Sequence, residues 1–211
     1  MAGVRYSIEN PGLYVTTNIN GFINILECAR LVGVKGVVYA SSSSVYGLNE
    51  MLPFRESDPI TLCNSPYACS KMSMELFAST YYRLHKIPMI GLRFFTVYGP
   101  RGRPDMAPYK FMNSVLQGKT FQIYGDGTSS RDYTYISDIV NGVVASIENK
   151  NNIQCEVYNL GNSKPVQLMD FVRTIERVTG RSAIYEHIGD QKADVPHTFA
   201  DISKAGRDLD Y

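Results

Sequence analysis

Two spacings of apolar residues alternate along the chain. Val37-Val38-Tyr39-Ala40 is a short unbroken apolar run that ends at once in four serines, Ser41 to Ser44. A run of that length between turn signals predicts a buried strand. Ahead of it, Leu13, Phe22, Ile23, Leu26 and Ala29 recur at helical intervals. Pro11 at the first helical position, Asn10 as the cap and Gly33 past the end bracket a helix over 11–32. After a loop over 48–64, Ser65 caps a second helix from Pro66 to about His85. Residues 87–95 form another apolar strand, which ends in Thr96-Val97-Tyr98-Gly99-Pro100.

Beyond Arg101 the elements shorten. The pattern predicts a helix over 107–117 stopped by Gly118 and short strands over 121–124 and 131–136 on either side of Gly125-Asp126-Gly127. Ser137 is expected to cap the next helix, with Asp138 in its first turn where a carboxylate suits the helix dipole. A strand over 156–160, an amphipathic helix over 168–178 ended by Gly180 and a strand over 183–188 follow. Strands alternating with helices point to an α/β fold with a parallel sheet. The division expected is 1–100 for the sheet and 101–211 for a smaller lobe that covers its strand ends and is partly interleaved with it.

Composition narrows the function. A net charge of +1 gives no reason to expect a nucleic-acid partner. Cys28, Cys63, Cys69 and Cys155 form no C-x-x-C pair, so neither a disulfide framework nor a zinc site is indicated. Such cysteine usage fits the reducing cytoplasm. No apolar run is long enough to span a bilayer, and no metal site is expected.

The chemistry concentrates between Val37 and Lys71. Tyr67 and Lys71 are four apart and share a helix face. The serines stand at the C-terminal end of a strand, where open α/β sheets bind ligands. A phenol, an ammonium and a hydroxyl at one point form a proton-transfer site. The same Tyr-x-x-x-Lys spacing recurs from Tyr82 to Lys86, where it reads as a plain helix face.

Ser41-Ser42-Ser43-Ser44-Val45-Tyr46-Gly47, Tyr67-x-x-x-Lys71, the 92–100 segment and Arg131-Asp132-Tyr133-Thr134-Tyr135 resemble the extended short-chain dehydrogenase/reductase family. Within it the chain is most similar to nucleotide-sugar 4-epimerases, and Gly102-Arg103-Pro104-Asp105-Met106 resembles the UDP-glucuronate 4-epimerase branch. The resemblance implies a truncated Rossmann-like sheet with a C-terminal UDP-sugar-binding lobe, NAD as cofactor, and epimerisation at C4 through a transient 4-keto sugar. Tyr67 is then the general base, its pKa lowered by Lys71 and a cationic nicotinamide ring, and Ser42 bridges the sugar hydroxyl to it. Lys71 also holds the nicotinamide ribose. Asn18, Ser41 and Phe94 are implied on the cofactor side. Ser43, Thr96, Arg103, Tyr124, Arg131 and Asp194 are implied on the substrate side. Plain roles stand beside these: turn chemistry for Ser43, core packing for Phe94 and Tyr124, a surface position for Arg131 and helix support for Asn18. Gln191 or Lys192 stands where relatives carry a basic residue before the Asp194 position.

The family's opening glycine-rich turn, which cradles the NAD pyrophosphate, has no counterpart in this sequence. The expectation is a fragment of a longer protein or a truncated gene product. The resemblance also implies a homodimer through helices 11–32 and 66–86. Other functions consistent with the sequence are a 4-epimerase for neutral UDP-hexoses or N-acetylhexosamines and a non-catalytic remnant that binds nucleotide sugar or a partner. A 4,6-dehydratase is disfavoured, because Ser43-Ser44 stand where that branch has an acid pair.

Overall fold

The computed structural model describes every residue except 150, 190–192 and 194. The expected role of Asp194, and of Gln191 or Lys192 before it, therefore lies outside the described residues.

The first sheet is parallel, in the order β1-β2-β6: β1 (Val37–Ser42), β2 (Met89–Phe94) and β6 (Cys155–Leu160). β1 runs past the apolar run and takes in the first two serines. The register sets Ser41 beside Arg93 and Arg93 beside Asn159; one step on, Ser42 lies beside Phe94 and Phe94 beside Leu160. Alternate residues face opposite sides. Tyr39 and Met89 pack on Phe22, Leu26, Met74 and Ala78 from α3 (Gly21–Val32) and α4 (Pro66–His85). Ile90, Leu92, Tyr158 and Leu160 pack on the opposite side against α6 (Ile136–Glu148) and α8 (Ser203–Leu209). Each fully buried aliphatic or aromatic side chain contributes roughly 1.5–3 kcal/mol, which explains the almost continuous apolar character of β2.

Before α3 the chain forms α1 (Val4–Glu9), α2 (Pro11–Tyr14) and a π-helical stretch, Val15–Asn20, that runs straight into α3. The expected Asn10 cap is corrected: its side chain makes no capping hydrogen bond, and α1 precedes it directly. Gly33, at φ 71°, ends α3 as expected and donates its N–H to Ala29 O.

The second half builds two small sheets. β3 (Thr96–Tyr98) pairs parallel with β5 (Ser130–Tyr135), which pairs antiparallel with β7 (Pro165–Gln167); β4 (Phe121–Tyr124) pairs parallel with β8 (Tyr185–Ile188). The strands flanking Gly125-Asp126-Gly127 thus join different sheets. Phe111, Val115, Phe121, Ile123 and Val172 bind β4 to α5 (Ala107–Gln117) and α7 (Leu168–Thr179). The expected Ser137 cap is corrected too. β5 runs directly into α6, and Ser137 sits inside the first turn with its hydroxyl on Asp138. Asp132 is fully buried, and its carboxylate accepts backbone N–H groups from Asn162, Ser163 and Ala200.

Candidate active site

The site is built where β1 ends. Ser42 is extended, at φ −159°, and its Oγ accepts the Ser44 N–H at 3.1 Å, which starts a tight turn over Ser43–Tyr46. Gly47 closes that turn at φ +57°; a Cβ there would lie 1.8 Å from Leu62 O, so only glycine fits. Ser65 then caps α4, accepting the Ala68 N–H at 3.2 Å, with Pro66 at the first helical position. Tyr67 is therefore fixed in the first turn of α4, directed back at the serines.

Burial raises the Tyr67 phenol above its ordinary pKa; the nearby Ser42 hydroxyl and the Arg103 charge act the other way by stabilising phenolate. Lys71 lies one turn further on, 9% exposed, and donates from Nζ to Ala40 O at 2.9 Å. Its Nζ is 6.0 Å from the Tyr67 ring centroid, and burial lowers its own pKa. The expectation that Lys71 lowers the Tyr67 pKa is corrected accordingly. In this arrangement burial dominates, and the opposing influences come from Ser42 and Arg103.

A cleft of about 440 Å³ opens at this point. Of the sequence-predicted residues, Ser41, Ser42, Ser43, Tyr67, Phe94, Thr96 and Arg103 line it. Phe94 and Phe95 both border the cleft; Phe94 is half-buried and packs on the Leu92–Tyr158 cluster, while Phe95 is buried among Val45, Tyr46 and Phe54. Arg103 passes over Gly3, where a Cβ would come within 3.2 Å of Nη2. Asp105 accepts from Arg103 Nε at 3.0 Å and from Nη2 at 2.5 Å.

Other expected residues stand apart. The Asn18 amide donates to Met1 O and to Ser70 Oγ, and its Oδ1 accepts from the Met1 ammonium, so its polar atoms join α4 to the residues before α1. Ser41 borders the cleft, but its hydroxyl donates to Glu75 Oε1. Arg131 Nη1 donates to Ser130 O and Pro196 O, away from the residues that line the cleft. The Tyr124 ring faces the Arg5 guanidinium at 4.9 Å.

Sequence reasoning missed Glu75 and Arg93. They form a buried ion pair, Nη2 to Oε2 at 2.7 Å and Nε to Oε1 at 2.9 Å. The available signal was a lone arginine inside an apolar strand. Among the described residues no group of histidine, cysteine or acidic side chains could hold a metal ion, and no helix is long and apolar enough to cross a membrane.

The nicotinamide end of a dinucleotide fits this donor set. Among the described residues Ala40 O is the acceptor for Lys71 Nζ, which leaves further ammonium protons for a ribose hydroxyl. Phe94 supplies an apolar wall beside it.

Comparison with known proteins agrees with this geometry. The chain is 43% identical over its whole length to a UDP-glucuronate 4-epimerase of Thermodesulfobacterium geofontis and 49% identical to an uncharacterised protein of Methanocaldococcus jannaschii. It spans 64% of the length of each of these curated relatives. The crystal structure of UDP-glucuronic acid 4-epimerase from Bacillus cereus, in complex with UDP-glucuronic acid and NAD, superimposes with a TM-score of 0.93 at 38% identity, covering all of this chain and 67% of that one. The model of the NAD dependent epimerase/dehydratase family matches residues 1–161. With the hydroxyl-tipped strand, the Tyr67–Lys71 helix face and this match, the chain belongs to the NAD dependent epimerase/dehydratase family.

Proposed function

We propose that this chain carries the reacting groups of an NAD-dependent 4-epimerase that converts UDP-glucuronate to UDP-galacturonate. The observation that carries the proposal is the convergence of Ser42, Tyr67 and Arg103 on one cleft above Lys71. Tyr67 accepts the proton of the sugar O4, and Ser42 holds that hydroxyl against it. Bound NAD would supply a reversible hydride acceptor for C4 of the sugar. Lys71 and Phe94 hold the nicotinamide end.

Substrate choice rests on Arg103. Oxidation at C4 of a glucuronate leaves a β-keto acid, which loses CO2 when the bond to the carboxylate aligns with the carbonyl π system. Arg103, with Thr96 and Ser43, pins the carboxylate out of that alignment. Tyr124, Arg131 and Asp194 complete the UDP side, with residues 1–100 bearing the chemistry and 101–211 most of the substrate contacts. The unpaired apolar residues Ile25 and Val32 on α3 and Leu76 and Leu84 on α4 support a homodimer through those helices. Four free cysteines support a cytoplasmic location.

The test is turnover of UDP-glucuronate and UDP-glucose with added NAD, followed by chromatography of the products. UDP-galacturonate should form at least ten times faster than UDP-galactose. Equal rates on the two sugars remove the Arg103 assignment. Absence of both turnover and NAD retention favours the non-catalytic remnant.

A further inference from the structure

We propose that Glu75 and Arg93 are positioning residues, the centre of a buried polar row that fixes α4 against the sheet so that Tyr67 meets Ser42. The inference rests on the assignment of Tyr67 and Ser42 as the reacting pair.

The row lies one residue below the cleft. Ser41, Arg93 and Asn159 are register neighbours across β1, β2 and β6, and they are 2%, 3% and 0% exposed. A parallel sheet covered on both faces ordinarily fills such a row with aliphatic side chains. Glu75 follows Lys71 by four residues and Tyr67 by eight, so all three share one face of α4. Its carboxylate takes hydrogen bonds from both neighbouring strands: Oε1 accepts from Ser41 Oγ at 2.5 Å and from Arg93 Nε at 2.9 Å, and Oε2 accepts from Arg93 Nη2 at 2.7 Å. The helix that bears Tyr67 is thereby joined to the strand that bears Ser42.

The network continues to the third strand. The Arg93 guanidinium lies 4.9 Å from the Tyr46 ring centroid, and the Tyr46 hydroxyl donates to Asn159 Oδ1 at 2.6 Å. Asn159 Nδ2 donates in turn to Phe54 O at 2.9 Å and Asp201 O at 3.1 Å. Tyr46 belongs to the turn that begins just after Ser42. Both members of the reacting pair are therefore held through one set of directional bonds.

Packing alone does not call for such a row. Burying two charges has a desolvation cost that apolar side chains of similar volume avoid. Among the described residues Arg93 Nη1 is buried without a conventional hydrogen-bond acceptor, an arrangement that apolar packing would avoid. What a carboxylate with three donors adds is direction: an aliphatic contact permits a helix to slide by a fraction of an ångström, whereas this arrangement fixes one position. Reacting groups need placement to within about 0.5 Å.

The experiment replaces the pair by methionines, Glu75→Met with Arg93→Met, in the full chain carrying 3-fluorotyrosine. The fluorine resonance of Tyr67 is identified by its loss in Tyr67→Phe. A swap of both partners for apolar residues is expected to leave the urea midpoint near that of the parent. The Tyr67 resonance should nevertheless move and its titration midpoint rise, because Ser42 leaves its reach. With NAD and UDP-glucuronate, kcat should fall at least tenfold at unchanged KM, and Glu75→Gln alone, which retains the acceptor for Ser41, should recover part of the loss. A folded double variant with the parent resonance and midpoint overturns the proposal. If the double variant unfolds, Ser41→Ala, which removes only the link from β1, is read in the same way: an unmoved resonance overturns the proposal and a moved one supports it. The resonance is also read without turnover, so a parent chain that turns nothing over counts against the enzymatic assignment alone.

Discussion

Two adjacent rows of the first sheet share strands yet differ in character: one is Ser41, Arg93 and Asn159, the other Ser42, Phe94 and Leu160. In the lower row Ser41, Arg93 and Asn159 meet partners inside the protein, chiefly Glu75 and Tyr46. In the upper row Ser42 and Phe94 face the cleft, and Tyr67 and Arg103 join them from outside the sheet. Alternation sends the two rows to opposite faces: the Ser41 row lies under α4, where Glu75 meets it, and the Ser42 row lies on the α6 side at the strand end. Ser41 and Ser42 are chemically identical neighbours. Both border the cleft, but the Ser41 hydroxyl is taken up by a buried carboxylate, while the Ser42 hydroxyl lies beside the Tyr67 phenol.

The comparison can be broken most forcefully at Tyr67. Tyr67→Phe should reduce kcat by about 10²–10⁴-fold, the usual range for a lost general base, with little change in the urea midpoint. In the lower row the pattern inverts. Glu75→Ala leaves the Arg93 charge buried and uncompensated, and urea denaturation should show a loss of about 3–5 kcal/mol.

Alkali should attack the buried tyrosines next. Burial pushes Tyr39 and Tyr46 above the ordinary phenol range. The unfolded chain therefore releases these protons first, near pH 10, while the folded chain retains them. The stabilisation from keeping them neutral is complete below pH 10 and is lost as pH rises beyond it, by about 1.4 kcal/mol per tyrosine per pH unit. Urea midpoints measured from pH 8 to 11 should be flat with respect to these groups up to 10 and then fall, and Tyr46→Phe should reduce the slope.

At the cleft, Arg103→Ala should weaken UDP-glucuronate binding roughly tenfold, the scale of one charged hydrogen bond, while UDP-glucose binding stays constant. Titration calorimetry with the two sugars distinguishes these outcomes. The smallest effect is expected at the joint between the rows. Ser65→Ala removes the α4 cap and should lower stability by about 1 kcal/mol in a urea titration.

Much of the upper row was legible in the chain. The apolar run into serines, the Ser65-Pro66 start and the four-residue spacing of Tyr67 and Lys71 are local signals, and the structure retains each one. Gly33, Gly118 and Gly180 end their helices with positive φ as expected. The lower row was not legible. Glu75 and Arg93 are 18 residues apart, and their meeting depends on the parallel register of β1 and β2 under α4. The Asn10 and Ser137 caps failed because neighbouring elements abut directly, which sequence spacing does not reveal.

The order of residues alone determined the strand that stops at a hydroxyl, the helix that follows it and the face on which Tyr67 and Lys71 stand. These depend on interactions spanning a few residues, where backbone geometry leaves few choices. Only the tertiary structure decided that the Ser42 hydroxyl meets Tyr67, that the Ser41 hydroxyl meets Glu75, that Asp132 gathers distant backbone donors and that Arg103 comes over Gly3 to the phenol. Those outcomes depend on which distant segments exclude water from a given group, and burial of that kind is a property of the assembled chain.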